Sequence, residues 1–249
     1  MRPFLIDALA AAVFASGMAP DSSVVQEQRL TDKHRLQYGI EWRLVRAGVA
    51  RVDWQPKHDG GYQANLHLES AGLVSKLYRV NDKYTVALDK ALCAENFLLQ
   101  AEEGKRRRET KVTFGKGKLN YLERDLLKNT VVLAKELQTA PCVHEYMGAL
   151  NKLRGMQIAL GQSVQVPMTD GKKFAMVKVD AQEREVVKTP VGSFNAIRYE
   201  IHMFNEVIIN RKARMHVWVS DDPRRLPVQV RVRMNVLTGT ITLQLEKME

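Results

Sequence analysis

A mainly β chain is the fold class this sequence predicts: a single antiparallel, strongly curved sheet or partial barrel carrying one main α-helix. Three observations predict it. Successive segments alternate apolar and polar residues with a period of two. Gly- and Asp-bearing turn signals fall between them. Only residues 141–155 repeat apolar side chains at clear helical spacing. The chain has 249 residues, enough to bury a core without extra cross-links. No internal repeat, low-complexity tract or Pro/Ser linker divides it, so residues 34–249 read as one β-rich domain.

In chain order, Leu36, Tyr38, Ile40, Trp42 and Leu44 alternate with polar neighbours as a half-buried strand does. Ala47-Gly48 marks a turn, and Val52 and Trp54 lie on a returning strand. His58-Asp59-Gly60-Gly61 is a turn cluster before Tyr62, Ala64, Leu66 and Leu68. Residues 71–80 break the alternation, as a short helical turn or bulged crossover would, and Tyr84, Val86 and Leu88 resume it. Hairpins are expected at Glu102-Glu103-Gly104 and Gly115-Lys116-Gly117, flanking a strand over Arg106–Phe114. The helix is PCVHEYMGALNKLRG, with Pro141 at its first position and Gly155 as its stop. Further strands are expected over Val164–Met168, Lys173–Val179, Phe194–Met203, Arg214–Val219, Val228–Val236 and Thr240–Leu245. Asp170-Gly171 and Thr189-Pro190-Val191-Gly192 are turns between them. The total is about ten strands and one central helix.

Residues 1–19 have the layout of a secretory signal peptide: Arg2, an apolar run from Phe4 to Ala15, then small residues up to Ala19. The run is too short for a membrane span of ~20 apolar residues. Asp7 and Pro20 fit the pattern least well, and an amphipathic N-terminal helix is the competing reading. Residues 20–33 form a polar lead-in. Cys93 and Cys142 lie far apart, without CxxC spacing or a Cys/His cluster. In an oxidising compartment they are expected to form one disulfide, worth ~4 kcal/mol. Two buried thiols are the alternative.

Hydrophobic residues at 45% and charged residues at 27% exclude wholesale disorder and a polytopic membrane protein. Lys+Arg outnumber Asp+Glu by 38 to 28, a net charge of +10 that suits anionic partners without selecting one. No GxSxG, GxxxxGK[ST], HExxH, GxGxxG or CxxC occurs, so neither a cofactor nor a metal is expected. His34, His58, His67, His144, His202 and His216 are scattered singly. His144-Glu145 beside Cys142, and Asp221-Asp222, come nearest to a catalytic grouping. The helix dipole accounts for the first acid and a capped turn before Pro223 for the pair. The runs at residues 105–108 and 211–214, with Arg231 and Arg233 on one strand face, read as solvated faces and edge protection. RNA binding would interleave such charges with exposed aromatics, yet aromatics are 7% and Tyr38, Trp42 and Tyr62 fall on apolar faces. Nucleic acid is therefore not an expected partner.

Six segments, taken in order, resemble one family: YGIEWRLVRAGVARV, ESAGLVSKLYRVNDKY, RRRETKVTF, PCVHEYMGALNKLRG, VKTPVGSFNAIRYE and VWVSDDPRRLPVQVRV. Together they look like the bacterial envelope family called domain of unknown function 3108, from about Tyr38 to Leu245. The resemblance implies an exported β-rich protein without an established activity, and it transfers no catalytic residue. The ending VWVSDDPRRLPVQV is also similar to the tail of LolA-like lipoprotein carriers. That likeness implies a curved half-barrel with an apolar cavity for acyl chains and Arg at its rim meeting an anionic headgroup.

The expected function is that of a non-catalytic, exported protein of the bacterial cell envelope, periplasmic or otherwise outside the cytoplasm. It would hold a lipid or lipoprotein acyl chain. Candidate cavity residues are Trp42, Leu66, Leu77, Tyr84, Tyr146, Met147, Leu150 and Trp218. The rival is a structural or assembly factor docking through its basic face on an envelope protein or anionic glycan; peripheral membrane contact is open to either. An enzyme, the third class, would involve His144, Glu145 and Asp221 first.

Overall fold

A computed structural model of the chain describes residues 34–234 and 239–249. The expected signal peptide, the lead-in and Val236 lie outside the described residues. The chain opens with β1 (His34–Trp42), β2 (Val45–Pro56), β3 (Tyr62–Ser70), the short helix α1 (Gly72–Leu77), β4 (Asn81–Leu88) and β5 (Ala94–Glu103). β6 (Arg106–Gly115), β7 (Lys118–Asp125), β8 (Thr130–Gln138) and helix α2 (Tyr146–Gly155) follow. The second half contains β9 (Ser163–Thr169), β10 (Phe174–Thr189), β11 (Gly192–Ile201), β12 (Arg214–Ser220), β13 (Pro227–Arg233) and β14 (Thr240–Met248).

All fourteen strands form one sheet in the order β8-β7-β6-β5-β4-β3-β2-β1-β14-β13-β12-β11-β10-β9. Every neighbouring pair is antiparallel, and β1 sits centrally with β2 on one side and β14 on the other. The chain leaves this centre along one wing, crosses through α2 to the far edge, and returns to the centre along the other wing. The edges β8 and β9 do not pair with each other, so the sheet is not closed. It is strongly curled: the β9–β10 turn meets the opposite wing, where Lys172 Nζ lies 2.9 Å from Glu123 and over the Tyr121 ring. Lys135 Nζ of β8 also donates to the Lys172 carbonyl at 2.9 Å.

The fold class agrees with the expectation, and several details differ. Among the described residues there are fourteen strands rather than about ten. The alternation did not disclose β8, a mostly exposed edge strand that lacks a buried face to impose a period of two. The first hairpin turns at Arg43-Leu44, with φ of 51° and 65°, between the paired residues Trp42 and Val45. Ala47-Gly48 lies inside β2. A two-residue hairpin needs positive φ at such positions, normally supplied by Asn or Gly, so Arg-Leu carried no signal. Trp42, next to this turn, is 39% exposed rather than on a buried face. β10, expected over Lys173–Val179, runs on to Thr189 through an irregularity between Ala181 and Arg184. β13 ends at Arg233.

The helix also begins later than expected. Glu145, not a residue near Pro141, is the N-cap of α2, and its carboxylate accepts the backbone N–H groups of Met147 and Gly148. Pro141 precedes the helix in an irregular stretch. The other end of α2 is fixed by two buried arginines. Arg154 donates to the Arg225 carbonyl at 2.8 Å, and Arg225 returns hydrogen bonds to the Arg154 and Met156 carbonyls at 3.2 and 3.0 Å. Arg225 also reaches the Tyr199 hydroxyl at 3.0 Å. The LRG and DDPRRLP stretches are therefore halves of one joint between helix and sheet. Asp222 caps the turn between β12 and β13 by accepting the Arg224 N–H at 2.9 Å.

Three apolar clusters result. One packs β9–β12 against the C-terminal half of α2 and the loop after β11, with Met203, Phe204 and Ile208 buried from that loop. A second lines β2–β7, including Trp54, Tyr84, Phe97, Leu119 and Tyr121. The third joins the wings at the centre through Leu36, Tyr38, Trp218, Val228 and Leu245.

Candidate functional site

The crossover from β8 to β9 ties the wings together. The Cys93–Cys142 disulfide is formed, joining the β4–β5 loop to the approach of α2. Ala94 N–H donates to the Val143 carbonyl at 2.8 Å, and His144 N–H to the Pro167 carbonyl of β9 at 2.9 Å. Gly148, in the first turn of α2, lies so close to the Leu92 carbonyl that a Cβ would meet it at 2.8 Å. The N-terminus of α2 is thereby seated inside the N-terminal wing. Glu145 is fully buried there and also accepts the Tyr84 hydroxyl at 2.7 Å. Burial raises its pKa, opposed by the Met147, Tyr84 and Gly148 hydrogen bonds.

Beyond this anchor the concave face of β3–β7 is left uncovered, as a cleft of about 440 Å³. Its floor is apolar: Leu66 and Leu68 from β3, Tyr84 from β4, Phe97 and Leu99 from β5, Tyr121 from β7, and Met147 from α2. Its rim is charged. Arg106, Arg108 and Lys172 face the four carboxylates of Asp82, Glu103, Glu123 and Asp170, so the rim is close to electrical balance. Arg108 and Lys172 are committed to Glu123, to which Tyr121 also donates at 2.7 Å. Burial pushes the Glu123 carboxyl up, but the Tyr121, Lys172 and Arg108 hydrogen bonds outweigh it and hold the pKa at about 2. Of the two rim arginines, Arg108 thus meets an internal acid, whereas Arg106 is exposed at the mouth.

Of the candidate cavity residues, Leu66, Tyr84, Tyr146 and Met147 line this cleft. The other four lie elsewhere. Leu150 faces the C-terminal cluster from α2. Trp218 is buried at the junction of the wings, its indole N–H donating to Glu185 at 2.6 Å. Trp42 stands at the end of β1 beneath the Arg43 guanidinium, and Leu77 is exposed on α1. Sequence reasoning missed Phe97, Leu99, Tyr121 and the Glu123 pair of cations. One signal was available: Leu119, Tyr121 and Glu123 occupy successive inward positions of β7, so a carboxylate interrupts an apolar stripe.

The three groups first considered for catalysis do not converge. His144 Nδ1 is engaged by the Leu92 carbonyl at 2.7 Å, and Glu145 caps the helix. Asp221 is ion-paired with Arg184 at 2.6 Å in the turn after β12. His144 Nε2 does approach Cys142 Sγ at 4.0 Å, but that sulfur is in the disulfide. Among the described residues, no three His, Cys, Asp or Glu side chains are grouped as metal ligands, and no helix is long and apolar enough to cross a membrane.

Fold and cleft together define a β-half-barrel protein: one curled antiparallel meander with a helix seated between its wings. The chain belongs to the family described as Protein of unknown function (DUF3108), whose model matches residues 37–246. A beta-barrel-like protein of the domain of unknown function DUF1849 from Brucella abortus shares the fold, with a TM-score of 0.58 at 11% identity over 88% of this chain and 98% of that one. A protein with a YmcC-like fold from Bacteroides fragilis gives a TM-score of 0.39 at 9% identity, covering 90% of this chain and 99% of that one. A DUF1089 family protein from Pseudomonas aeruginosa gives 0.38 at 11% identity, covering 72% and 87%. The last two are too distant to bear on the argument. Comparison with curated proteins found no match.

Proposed function

We propose that this protein is a non-catalytic binding protein of the bacterial cell envelope that holds a lipid or lipoprotein acyl chain in the cleft of its N-terminal wing. The cleft carries this reading. Its volume of about 440 Å³ falls within the ~300–1,000 Å³ of small-molecule sites. Its floor is apolar, and each CH₂ removed from water there stabilises the complex by ~0.8 kcal/mol. The balanced rim favours recognition through the chain itself, with a neutral or zwitterionic head left at the mouth. Export is supported by the signal-like residues 1–19 and by an intramolecular disulfide, a bond that persists in oxidising compartments.

Native mass spectrometry of the protein recovered from the periplasm, followed by organic extraction, tests the reading. The expected result is stoichiometric lipid on the wild type and its loss from Leu99→Trp, which fills the cleft. A lipid-free mass, together with no binding of a fluorescent fatty acid in titration, overturns it. Recovery only from the cytoplasm overturns the export component.

A further inference from the structure

In an antiparallel meander, alternate turns share one end of the sheet. The β1–β2, β3–β4, β5–β6 and β7–β8 connections therefore form a single rim of the N-terminal wing. Backbone hydrogen bonds join them laterally: Ala71 N–H to the Ala47 carbonyl at 2.8 Å, Gly104 N–H to Arg79 at 2.7 Å, and Leu126 N–H to Arg107 at 2.9 Å. Along this rim stand Leu44, Leu77, Leu127 and Leu73, exposed by 93%, 79%, 68% and 64%. No other large apolar side chain among the described residues is as exposed. Helix α1, which carries two of them, buries none of its residues. Apolar residues concentrated at turn tips have no role in the core and mark a contact surface.

The charges on the rim identify the partner. Lys76, Arg79, Lys105, Arg106 and Lys128 are exposed between the leucines, whereas Glu102 and Glu103 of the β5–β6 connection are half-buried, Glu102 lying 3.6 Å from Arg107. Asp125, the acid of the β7–β8 turn, is turned inward onto the backbone N–H groups of Leu127 and Lys128. Protruding leucines interspersed with cations suit the boundary between lipid phosphates and acyl chains. A protein groove would instead call for a concave apolar surface, which these separate tips do not make. We propose that this rim docks on an anionic lipid bilayer, with the four leucines entering the acyl boundary and the Lys and Arg side chains meeting the phosphates. Arg106 and Glu103 also line the cleft, so docking in this way sets the cleft mouth at the bilayer surface. The inference stands on exposure and charge, whatever the cleft holds.

Flotation of the protein with vesicles of phosphatidylcholine alone, or of phosphatidylcholine with one-third phosphatidylglycerol, tests it. The expected result is binding to the anionic vesicles that weakens with salt. Replacing the leucines together (Leu44→Asn, Leu73→Ser, Leu77→Ser, Leu127→Ser) should weaken that binding about tenfold or more. All four sites are exposed, so the fold is retained, as circular dichroism will show. Lys76→Glu, Lys105→Glu and Lys128→Glu together should abolish the preference for phosphatidylglycerol. Trp42 supplies an independent readout, because Trp54 and Trp218 are buried: doxyl-labelled lipid should quench its fluorescence. Failure of the wild type to float, or equal binding by the leucine variant, overturns the proposal. A wild-type dimer that becomes monomeric in the leucine variant, without vesicle binding, overturns it in favour of a second copy as the partner.

Discussion

The two wings are built on the same antiparallel plan and differ in what covers their concave faces. In the C-terminal wing, the C-terminal half of α2 and the loop after β11 insert Leu153, Met203, Phe204 and Ile208 into the curve, and the cluster is packed. In the N-terminal wing the start of α2 brings Tyr146 and Met147 to one side of the concave face. The connection after its β3 folds as α1, which adds nothing to the core. The remaining space is the cleft. Both wings have a packed core, and whether a cleft remains beside it follows where the loops and helix place their apolar residues.

The comparison breaks most severely at the element that serves both wings. Replacing Cys93 and Cys142 by Ser releases a closed loop with a sequence separation of 49 and should cost ~4 kcal/mol, measured by urea unfolding. Next, Phe204→Ala in the packed wing should cost ~3 kcal/mol, whereas Leu99→Ala on the cleft floor should cost ~1 kcal/mol, because no new cavity is made where one exists. Equal losses at the two sites would mean that the wings are packed alike.

The buried cap between the wings gives a pH-dependent prediction. Burial raises the Glu145 pKa above its ordinary value of 4.5. The folded state therefore keeps a proton that the unfolded chain releases. The residue's contribution is fully present below about pH 4.5 and declines as pH rises through the raised folded value. Glu145→Gln removes that slope, so the stability lost on substitution should shrink from pH 4 to pH 8, by denaturant titration at each pH. Glu123 has the opposite sign. Its pKa is held at about 2, so its stabilisation is present at neutral pH and is lost as the pH falls from about 4.5 toward 2. Smallest in stability is Leu99→Trp, which should change unfolding by less than ~1 kcal/mol while filling the cleft. A large loss would show that the cleft does not have the space described.

Much of this architecture was legible because a half-buried strand writes its exposure into alternate residues. Leu36 and Tyr38, or Tyr84 and Val86, declare their faces by their spacing. The Cys93–Cys142 bond was legible because the sequence holds only these two cysteines, and the apolar residues Leu66, Tyr84, Tyr146 and Met147 lie along the cleft. Trp42, Leu77, Leu150 and Trp218 were not separable from them, because an apolar side chain looks the same whether it faces a core, a cleft or solvent. The Arg43-Leu44 turn and the exposed edge β8 were hidden for a related reason: neither carries the residue types that usually mark such places.

By itself, then, the sequence determined the β class, the presence of one main helix after Pro141 and the family to which the chain belongs. Each is encoded in periodicity or in local order along the chain. Tertiary structure alone decided that Arg154 and Arg225 join across the molecule, that Glu145 rather than a residue near Pro141 caps the helix, and that Lys172 crosses to Glu123. It also decided which wing kept an open cleft. These depend on how far the sheet curls and on which distant segments it brings together, and no local pattern records a distance between residues far apart in the chain.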